Sequence, residues 1–193
     1  YRAIITIAPY FGKNAAYTIG TAYGYIVNKM NLIDNLIDTL KNNPTDRRMI
    51  MSLWQNDYLK TAVLPSCVWS SEWDVTNGKL NAFVHQRSCD VPLGLPFNIT
   101  QYAVLLHMLA QVTNLKPGTL SWSIKDAHIY DNQINMIKEQ IRRYDELGDF
   151  EAPEFWLNPD VKDFYQFDNS KECKDVKIKN YKHRGKIEIP LTQ

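Results

Sequence analysis

The sequence predicts a fold that contains both α-helices and β-strands, because helical and strand patterns both recur along its 193 residues. Two segments repeat apolar side chains with helical spacing and a third is almost continuously apolar, while an Asn-Gly pair joins two strand-like segments. The 45% of hydrophobic and 22% of charged residues are typical of a globular chain. We therefore expect residues 1–193 to form one domain.

Charge and cysteine content argue against several classes of function. With 22 basic and 21 acidic side chains, bulk electrostatics gives no reason to expect nucleic acid or an anionic membrane as a partner. No apolar run approaches the ~20 residues of a membrane helix, and "YRAIITIAPYFG" lacks the apolar centre of a secretion signal. Three cysteines without a C-x-x-C pair argue against a zinc site or disulfides. We expect a cytoplasmic protein with reduced thiols and no metal.

The first predicted helix lies in "NLIDNLIDTLKNNP", with Asn31 as a possible cap and Pro44 beyond its end. Its apolar residues recur at three- and four-residue spacing: Leu32, Ile33, Leu36, Ile37 and Leu40. The strand-like "MIMSLW" follows Arg47 and Arg48. Two adjacent guanidinium groups are therefore expected at a strand entrance.

A hairpin is predicted around residues 77 and 78, because Asn-Gly strongly favours a two-residue turn between strands. Counting the pairs from this turn places Cys67 opposite Ser88 and one residue from Arg87. Strict alternation would direct Arg87 to the other face of the sheet. A β-bulge, or flexion of the long side chain, would be needed to bring this guanidinium to the thiol.

The second half of the chain alternates helices and strands. A buried central helix is predicted in "ITQYAVLLHMLAQVTNL", ended by residues 116–118, and a strand in "LSWSIKDAHIY". The next helix, "DNQINMIKEQIRRYDELG", has Asp131 as a possible cap and Gly148 as its stop. The segment "DVKIKNYKHRGKIEI" predicts a final hairpin that turns at Arg184 and Gly185.

Cys67, in "LPSCVW", is either a small buried hydrophobe or a nucleophile. A neighbouring cation favours the reactive thiolate, and Arg87 is the candidate unless it forms a surface ion pair with Asp90. Guanidinium forks and a short hydroxyl are the donors that a phosphate needs, although an Arg-Arg pair is also common on solvated surfaces. The residues that offer these donors are Arg47, Arg48, Arg87 and Ser88.

Three further polar residues suggest a nucleotide. Asn98 is either the N-cap of the central helix or an amide that reads a pyrimidine edge with its donor and acceptor. His128 and Tyr130 share one face of a strand end, where they either bind a sugar hydroxyl or are structural. Residue chemistry alone thus predicts a cysteine enzyme with a nucleotide-like anionic ligand.

The same residues carry a family resemblance. Residues 85–118, "HQRSCDVPLGLPFNITQYAVLLHMLAQVTNLKPG", resemble the signature of thymidylate synthases, and "DAHIYDNQI" and "PTDRRMIMSLW" resemble two further characteristic segments. The resemblance implies an α+β sandwich with a large mixed sheet and a long central helix, dimeric through the sheet face. It also implies reductive methylation of deoxyuridylate (dUMP) to thymidylate, with 5,10-methylenetetrahydrofolate as one-carbon and hydride donor and without a metal.

The resemblance implies a role for each matching residue. The catalytic residues would be Cys67 as nucleophile, Arg87, Asn98 and Tyr23. The dUMP site would comprise Arg47, Arg48, Arg87, Ser88, Asp90, Asn98, His128 and Tyr130, with Arg47 and Arg48 reaching the phosphate in the partner's site. The folate would contact Asp90, Leu93, Gly94 and Phe97.

The chain also departs from the family pattern. Ser66 and Val68 flank the nucleophile where most members have Pro and His, a feature of a variant branch with Val after the cysteine. The family's N-terminal third has no match here, which keeps open a catalytically silent nucleotide- or RNA-binding homologue. The ending "EIPLTQ" is more polar than the apolar tail that closes over the folate in the family. That difference keeps open a deoxyuridylate hydroxymethylase.

Overall fold

The computed structural model describes residues 32–54, 56, 59, 62, 64–168, 170 and 172–192. Three α-helices and eight short or medium strands are present in these ranges. They are α1 (Leu32–Asn42), β1 (Ile50–Ser52), β2 (Val68–Thr76), β3 (Lys79–Gln86), β4 (Cys89–Asp90), α2 (Gly94–Val112), β5 (Lys116–Ile124), β6 (Ala127–His128), α3 (Ile134–Leu147), β7 (Glu154–Leu157) and β8 (Val176–Lys179). Within these ranges no helix is both long enough and apolar enough to cross a membrane.

The main sheet is mixed and has the strand order β1-β2-β3-β5. The first three strands are antiparallel, whereas β5 runs parallel to β3. Parallel neighbours need a long crossover connection, and the segment that contains α2 supplies it. The predicted α+β fold with a mixed sheet and a long central helix is confirmed.

The core lies between one face of this sheet and the helices. On β3, Leu80 and Val84 are fully buried, whereas Phe83 between them is 42% exposed, as expected for a strand with one face covered. Met108 and Leu109 of α2 are also fully buried. Each such side chain contributes roughly 1.5–3 kcal/mol through its burial. The packing fixes α2 against the hairpin and so holds the base of the hairpin in place.

The central helix begins earlier than the sequence predicts. It includes Gly94 and Pro96, because a proline is tolerated in the first turn of a helix, where its missing N–H costs no hydrogen bond. The helix ends at Val112, and Asn114 follows with a φ of 58°. Lys116 to Gly118 do not merely stop the helix, since they form the start of β5.

Two local predictions near the C-terminus are wrong and one is confirmed. Strand β8 pairs with β7 instead of folding back at Arg184 and Gly185, whose carbonyl oxygens accept hydrogen bonds from Arg143. Asp131 does not cap the next helix, because a 3₁₀ turn over Asp131–Gln133 precedes it, in which Gln133 accepts from the Tyr130 N–H. Helix α3 does end before Gly148, which has a φ of 64°.

Candidate active site

The base of the β2–β3 hairpin contains a β-bulge that decides which residue faces Cys67. The pairs keep the predicted register along most of the hairpin, but the register shifts by one residue between Val68 and Ser70. As a result, Cys67 lies opposite Arg87, whose N–H donates to the Cys67 carbonyl oxygen at 2.8 Å. The predicted position opposite Ser88 is wrong, and the bulge required to bring Arg87 to the thiol is present.

The Arg87 side chain holds the segment that carries the thiol. Its Nε donates to the Ser66 carbonyl oxygen at 3.1 Å and its Nη2 to the Pro65 carbonyl oxygen at 2.7 Å. The same Nη2 lies 3.9 Å from the Cys67 Sγ. Arg87 makes these contacts instead of the surface ion pair with Asp90 that was the alternative prediction. The guanidinium therefore places a positive charge beside the sulfur.

The three thiols of the chain differ in access and environment. Cys67 is half-buried, whereas Cys89 and Cys173 are buried. Burial raises the pKa of Cys89 to about 11, and it also raises the pKa of Cys173. Cys67 is therefore the cysteine that a small molecule can reach.

Asn98 lies inside α2, so its alternative interpretation as an N-cap is wrong. The N-cap position is Leu93, and the Asn98 side chain is buried, with its Oδ1 accepting from Gln86 Nε2 at 3.1 Å. Gln86 is itself fixed, since its Nε2 also donates to the Ser88 carbonyl oxygen and its Oε1 accepts from Trp122 Nε1. The network orients the Asn98 amide with its oxygen toward Gln86.

The residues expected to contact a folate lie at the start of α2. Asp90 Oδ1 accepts from the Leu93 N–H at 3.2 Å, which ties β4 to the helix. Phe97 is half-buried one turn later. A Cβ on Gly94 would make ordinary contact with Asn98 Oδ1 at 3.7 Å and with Asp90 Cβ and Cys89 Sγ at 4.0 Å, so this glycine lies close against these side chains. The four residues therefore lie in one short stretch of chain around the start of the helix.

His128 and Tyr130 lie together next to this helix start, as their spacing predicts. Their rings meet edge to face with centroids 5.0 Å apart. Strand β6 pairs with β4 so that His128 lies opposite Asp90, and His128 Nδ1 is 3.5 Å from Asp126 Oδ2. The pairing brings the predicted sugar-binding residues and the predicted folate-binding carboxylate to the same edge.

Arg47 and Arg48 do not join this cluster within one chain. They precede β1 at the level of Asp74, seven residues along β2 from Cys67, which corresponds to roughly 20 Å. Arg48 forms a bidentate ion pair with Asp46 at 2.8 and 3.0 Å and lowers the pKa of that carboxyl to about 2. Arg47 is exposed and lines a groove of about 410 Å³ on this side of the sheet.

Two residues with predicted roles cannot be placed, and the described residues were also searched for a metal site. Tyr23, the tyrosine expected near the nucleophile, and the possible cap Asn31 lie outside the described residues. In the part of the chain that the structure describes, no cluster of three or more His, Cys, Asp or Glu could hold a metal ion.

A comparison with known protein families finds one family that matches most of the chain. The family described as thymidylate synthase matches residues 9–193. The chain belongs to this family. Its Cys67 and Arg87 therefore lie opposite each other in a thymidylate synthase fold, and the resemblance read from the sequence is confirmed at the level of the family.

The relatives have substantial identity but greater length. A thymidylate synthase of Clostridium beijerinckii is 50% identical over 175 residues, which are 91% of this chain and 64% of that protein. Thymidylate synthase 1 of Bacillus amyloliquefaciens is 43% identical over 90% of this chain and 77% of its own. The solved thermostable thymidylate synthase A of Bacillus subtilis superposes with a TM-score of 0.76 at 44% identity, covering 83% of this chain and 55% of that chain. The chain thus spans less than two thirds of the Clostridium relative.

Sequence reasoning missed two buried glutamines at this site. Gln86 holds Asn98 and is 3% exposed, and Gln133 hydrogen-bonds to Asp90 and is fully buried. Both lie inside the characteristic segments "HQRSCD" and "DAHIYDNQI". The sequence did contain a signal for both glutamines, since each is a polar residue in a characteristic segment, close to residues with predicted roles.

Proposed function

We propose that the protein which contains this chain converts dUMP to thymidylate, with 5,10-methylenetetrahydrofolate as one-carbon and hydride donor and dihydrofolate as the second product. The observation that carries the proposal is the Arg87 guanidinium 3.9 Å from the half-buried thiol of Cys67, with the Asn98 amide held by Gln86, the residue before Arg87. Membership of the thymidylate synthase family supports this assignment.

Cys67 acts as the nucleophile. Carbon C5 of uracil is too weak a nucleophile to attack a one-carbon donor, so the thiolate first adds to C6 and the C5–C6 electron pair moves toward O4. The resulting enolate attacks through C5. After the C5 proton leaves, the bond between the methylene carbon and the folate nitrogen breaks, and a hydride from the folate is transferred to that carbon. The C6–S bond then breaks and Cys67 is regenerated. Arg87 provides the positive charge that favours the thiolate at the start of this sequence.

Asn98 recognises the pyrimidine edge. Its Oδ1 is turned toward Gln86 Nε2, so its Nδ2 is the donor left to interact with O4 of uracil. A donor fixed before the reaction stabilises the negative charge that develops on O4 during thiolate addition. Ser88 and Arg87 hold the 5′-phosphate, while His128 and Tyr130 bind the 3′-hydroxyl. Binding these remote groups positions C6 over the sulfur.

The folate contributes the methylene group and the hydride. Asp90, Leu93, Gly94 and Phe97 bind it at the start of α2, next to the uracil site. Asp90 offers a carboxylate held by the Leu93 N–H, and Phe97 offers an aromatic face. These groups orient the folate and limit the access of water.

The active unit is a homodimer in which Arg47 and Arg48 reach the partner's phosphate site. The roughly 20 Å that separate them from Cys67 within one chain support a role across the interface. We place the protein in the cytoplasm, where cysteines such as Cys67 and Cys89 stay as free thiols.

Product analysis tests this function. The protein containing this chain, given dUMP and methylenetetrahydrofolate, should yield thymidylate and dihydrofolate in equal amounts, and Cys67→Ser should yield neither. Hydroxymethyl-dUMP with tetrahydrofolate would instead indicate a hydroxymethylase. Binding of dUMP without release of tritium from its C5 position would indicate a silent homologue. Either result would overturn the proposal.

A further inference from the structure

Gln133 is a fully buried side chain whose amide uses both donor hydrogens and its carbonyl oxygen in hydrogen bonds. Its Oε1 accepts from the Tyr130 N–H at 3.1 Å. Its Nε2 donates to Asp90 Oδ2 at 2.9 Å and to the Pro190 carbonyl oxygen at 3.2 Å. The exposed fraction of Gln133 is 0%, so each of these bonds is shielded from water.

These three partners belong to three different parts of the candidate site. Tyr130 lies beside His128, and Asp90 lies at the start of α2, where its other carboxylate oxygen accepts from Leu93. Pro190 belongs to the segment of residues 186–192, which we call the C-terminal tail. The neighbouring Asn132 also holds the tail, because its Oδ1 accepts from the Thr192 hydroxyl at 3.0 Å. One side chain therefore links the tail to the carboxylate.

We propose that Gln133 is a positioning residue that couples docking of the C-terminal tail to the orientation of Asp90, and so controls folate binding and the exclusion of water. The inference rests on the proposed function, which assigns Asp90 to the folate. When the tail is docked, both hydrogens of Nε2 are used and Asp90 is held in one rotamer. When the tail leaves, Gln133 loses one acceptor and the carboxylate loses part of its restraint.

The chemistry of the three contacts requires an amide. The Asp90 carboxylate and the Pro190 carbonyl oxygen both need donors, whereas the Tyr130 N–H needs an acceptor. An amide group satisfies all three, because its nitrogen carries two donor hydrogens and its oxygen accepts. A glutamate keeps the acceptor for Tyr130 but places its second oxygen against Asp90 and Pro190. Gln133→Glu therefore breaks the link to the tail and to Asp90 while it keeps the contact on the dUMP side.

Gln111 provides a matched control. It lies on α2, and its Nε2 also donates to two groups, the carbonyl oxygens of Asn158 and Val161. Gln111→Glu thus introduces the same atoms and the same loss of donors away from the candidate site. Any effect that depends only on a misplaced carboxylate should be shared by the two variants.

The test combines steady-state kinetics with hydrogen exchange of the tail, on the whole protein. In Gln133→Glu we expect the KM for methylenetetrahydrofolate to rise about tenfold or more, because a hydrogen bond to a charged group is lost. The KM for dUMP should stay within about twofold, since the acceptor for Tyr130 is kept. Part of the product should become hydroxymethyl-dUMP, and the backbone amides of residues 186–189, 191 and 192 should exchange faster. Gln111→Glu should show none of these changes.

Two results would overturn the inference. One is unchanged tail exchange and an unchanged KM for the folate in Gln133→Glu. The other is an equal loss of dUMP and folate binding in both glutamate variants, which would indicate a general structural defect. Failure of the proposed function is distinguishable, because the parent protein would then lack turnover while Gln133→Glu would still release the tail.

Discussion

Arg87 and Cys67 are joined both through their backbones and through their side chains. The Arg87 N–H donates to the Cys67 carbonyl oxygen at 2.8 Å, and the guanidinium Nη2 lies 3.9 Å from the sulfur. The first contact fixes the register of the hairpin base, and the second places a positive charge beside the thiol. The same residue thus positions the nucleophile and provides its electrostatic environment.

Selective alkylation tests this description of the thiols. Because burial raises the pKa of Cys89 to about 11 and also raises that of Cys173, both should remain neutral thiols at pH 8 and become reactive only at higher pH. Iodoacetamide at pH 8 should therefore modify Cys67 in the folded protein, as read by peptide mass spectrometry. All three should react after unfolding. Modification of Cys89 at the rate of Cys67 in the native state would contradict the prediction.

Asn98→Asp tests the pyrimidine reader. The substitution keeps the acceptor for Gln86 Nε2 but replaces the Nδ2 donor with an oxygen that repels O4 of uracil and accepts from the amino group of cytosine. We expect kcat/KM for dUMP to fall about a hundredfold or more and binding of dCMP to improve. The matched control is Asn35→Asp, on the exposed side of α1, which should change neither. An unchanged preference for dUMP in Asn98→Asp would show that this amide does not read the base.

Two glycines provide a paired test of where an added methyl group is tolerated. Gly94 lies at the candidate site, and Gly118 lies in β5, away from it. A Cβ on Gly94 meets nothing closer than 3.7 Å, so Gly94→Ala should keep the stability of the protein but occupy the space assigned to the folate. A Cβ on Gly118 would lie 2.7 Å from the Leu80 carbonyl oxygen, so Gly118→Ala should destabilise the fold by about 1–3 kcal/mol. Urea unfolding and the KM for folate measure the two effects. The prediction fails if Gly94→Ala unfolds more easily than Gly118→Ala, or leaves folate binding unchanged.

Mixing of inactive subunits tests the shared site. A chain with Arg47→Ala and Arg48→Ala keeps its Cys67 but lacks the arginines for its partner, whereas a Cys67→Ala chain keeps the arginines. A mixed dimer would contain one complete site, so activity should return to about a quarter of the parent value after random exchange. Each variant alone serves as its own control. If the mixture is as inactive as its components, each site is built from a single chain.

The sequence predicted most elements because their patterns are local. The alternating strands around the Asn-Gly turn and the apolar face of α1 depend on neighbouring residues, and the structure has both. The bulge between Val68 and Ser70 depends on packing across the hairpin, so only the need for it could be stated. The pairing of β8 with β7 likewise joins distant segments, and no local pattern distinguishes it from a hairpin at Gly185.

The site was predictable where a residue type already suggests its chemistry. Cys67, Arg87 and His128 were proposed in this way, and the structure brings Cys67 and Arg87 together. Gln86 and Gln133 were missed because a glutamine has no distinctive reactivity, and its importance lies in the buried hydrogen bonds it makes. Such bonds become visible only when the fold places the partners beside it.

Covalent capture by 5-fluoro-dUMP tests the central claim most directly. Fluorine at C5 cannot leave as a proton does, so the protein should stop with the nucleotide bound through C6 to Cys67 and the folate methylene bound to C5. Intact mass should increase by the masses of both ligands, peptide mapping should place the adduct on Cys67, and Cys67→Ser should gain nothing. The account is contradicted if the folded protein binds dUMP and yet forms no adduct, or forms it at another cysteine.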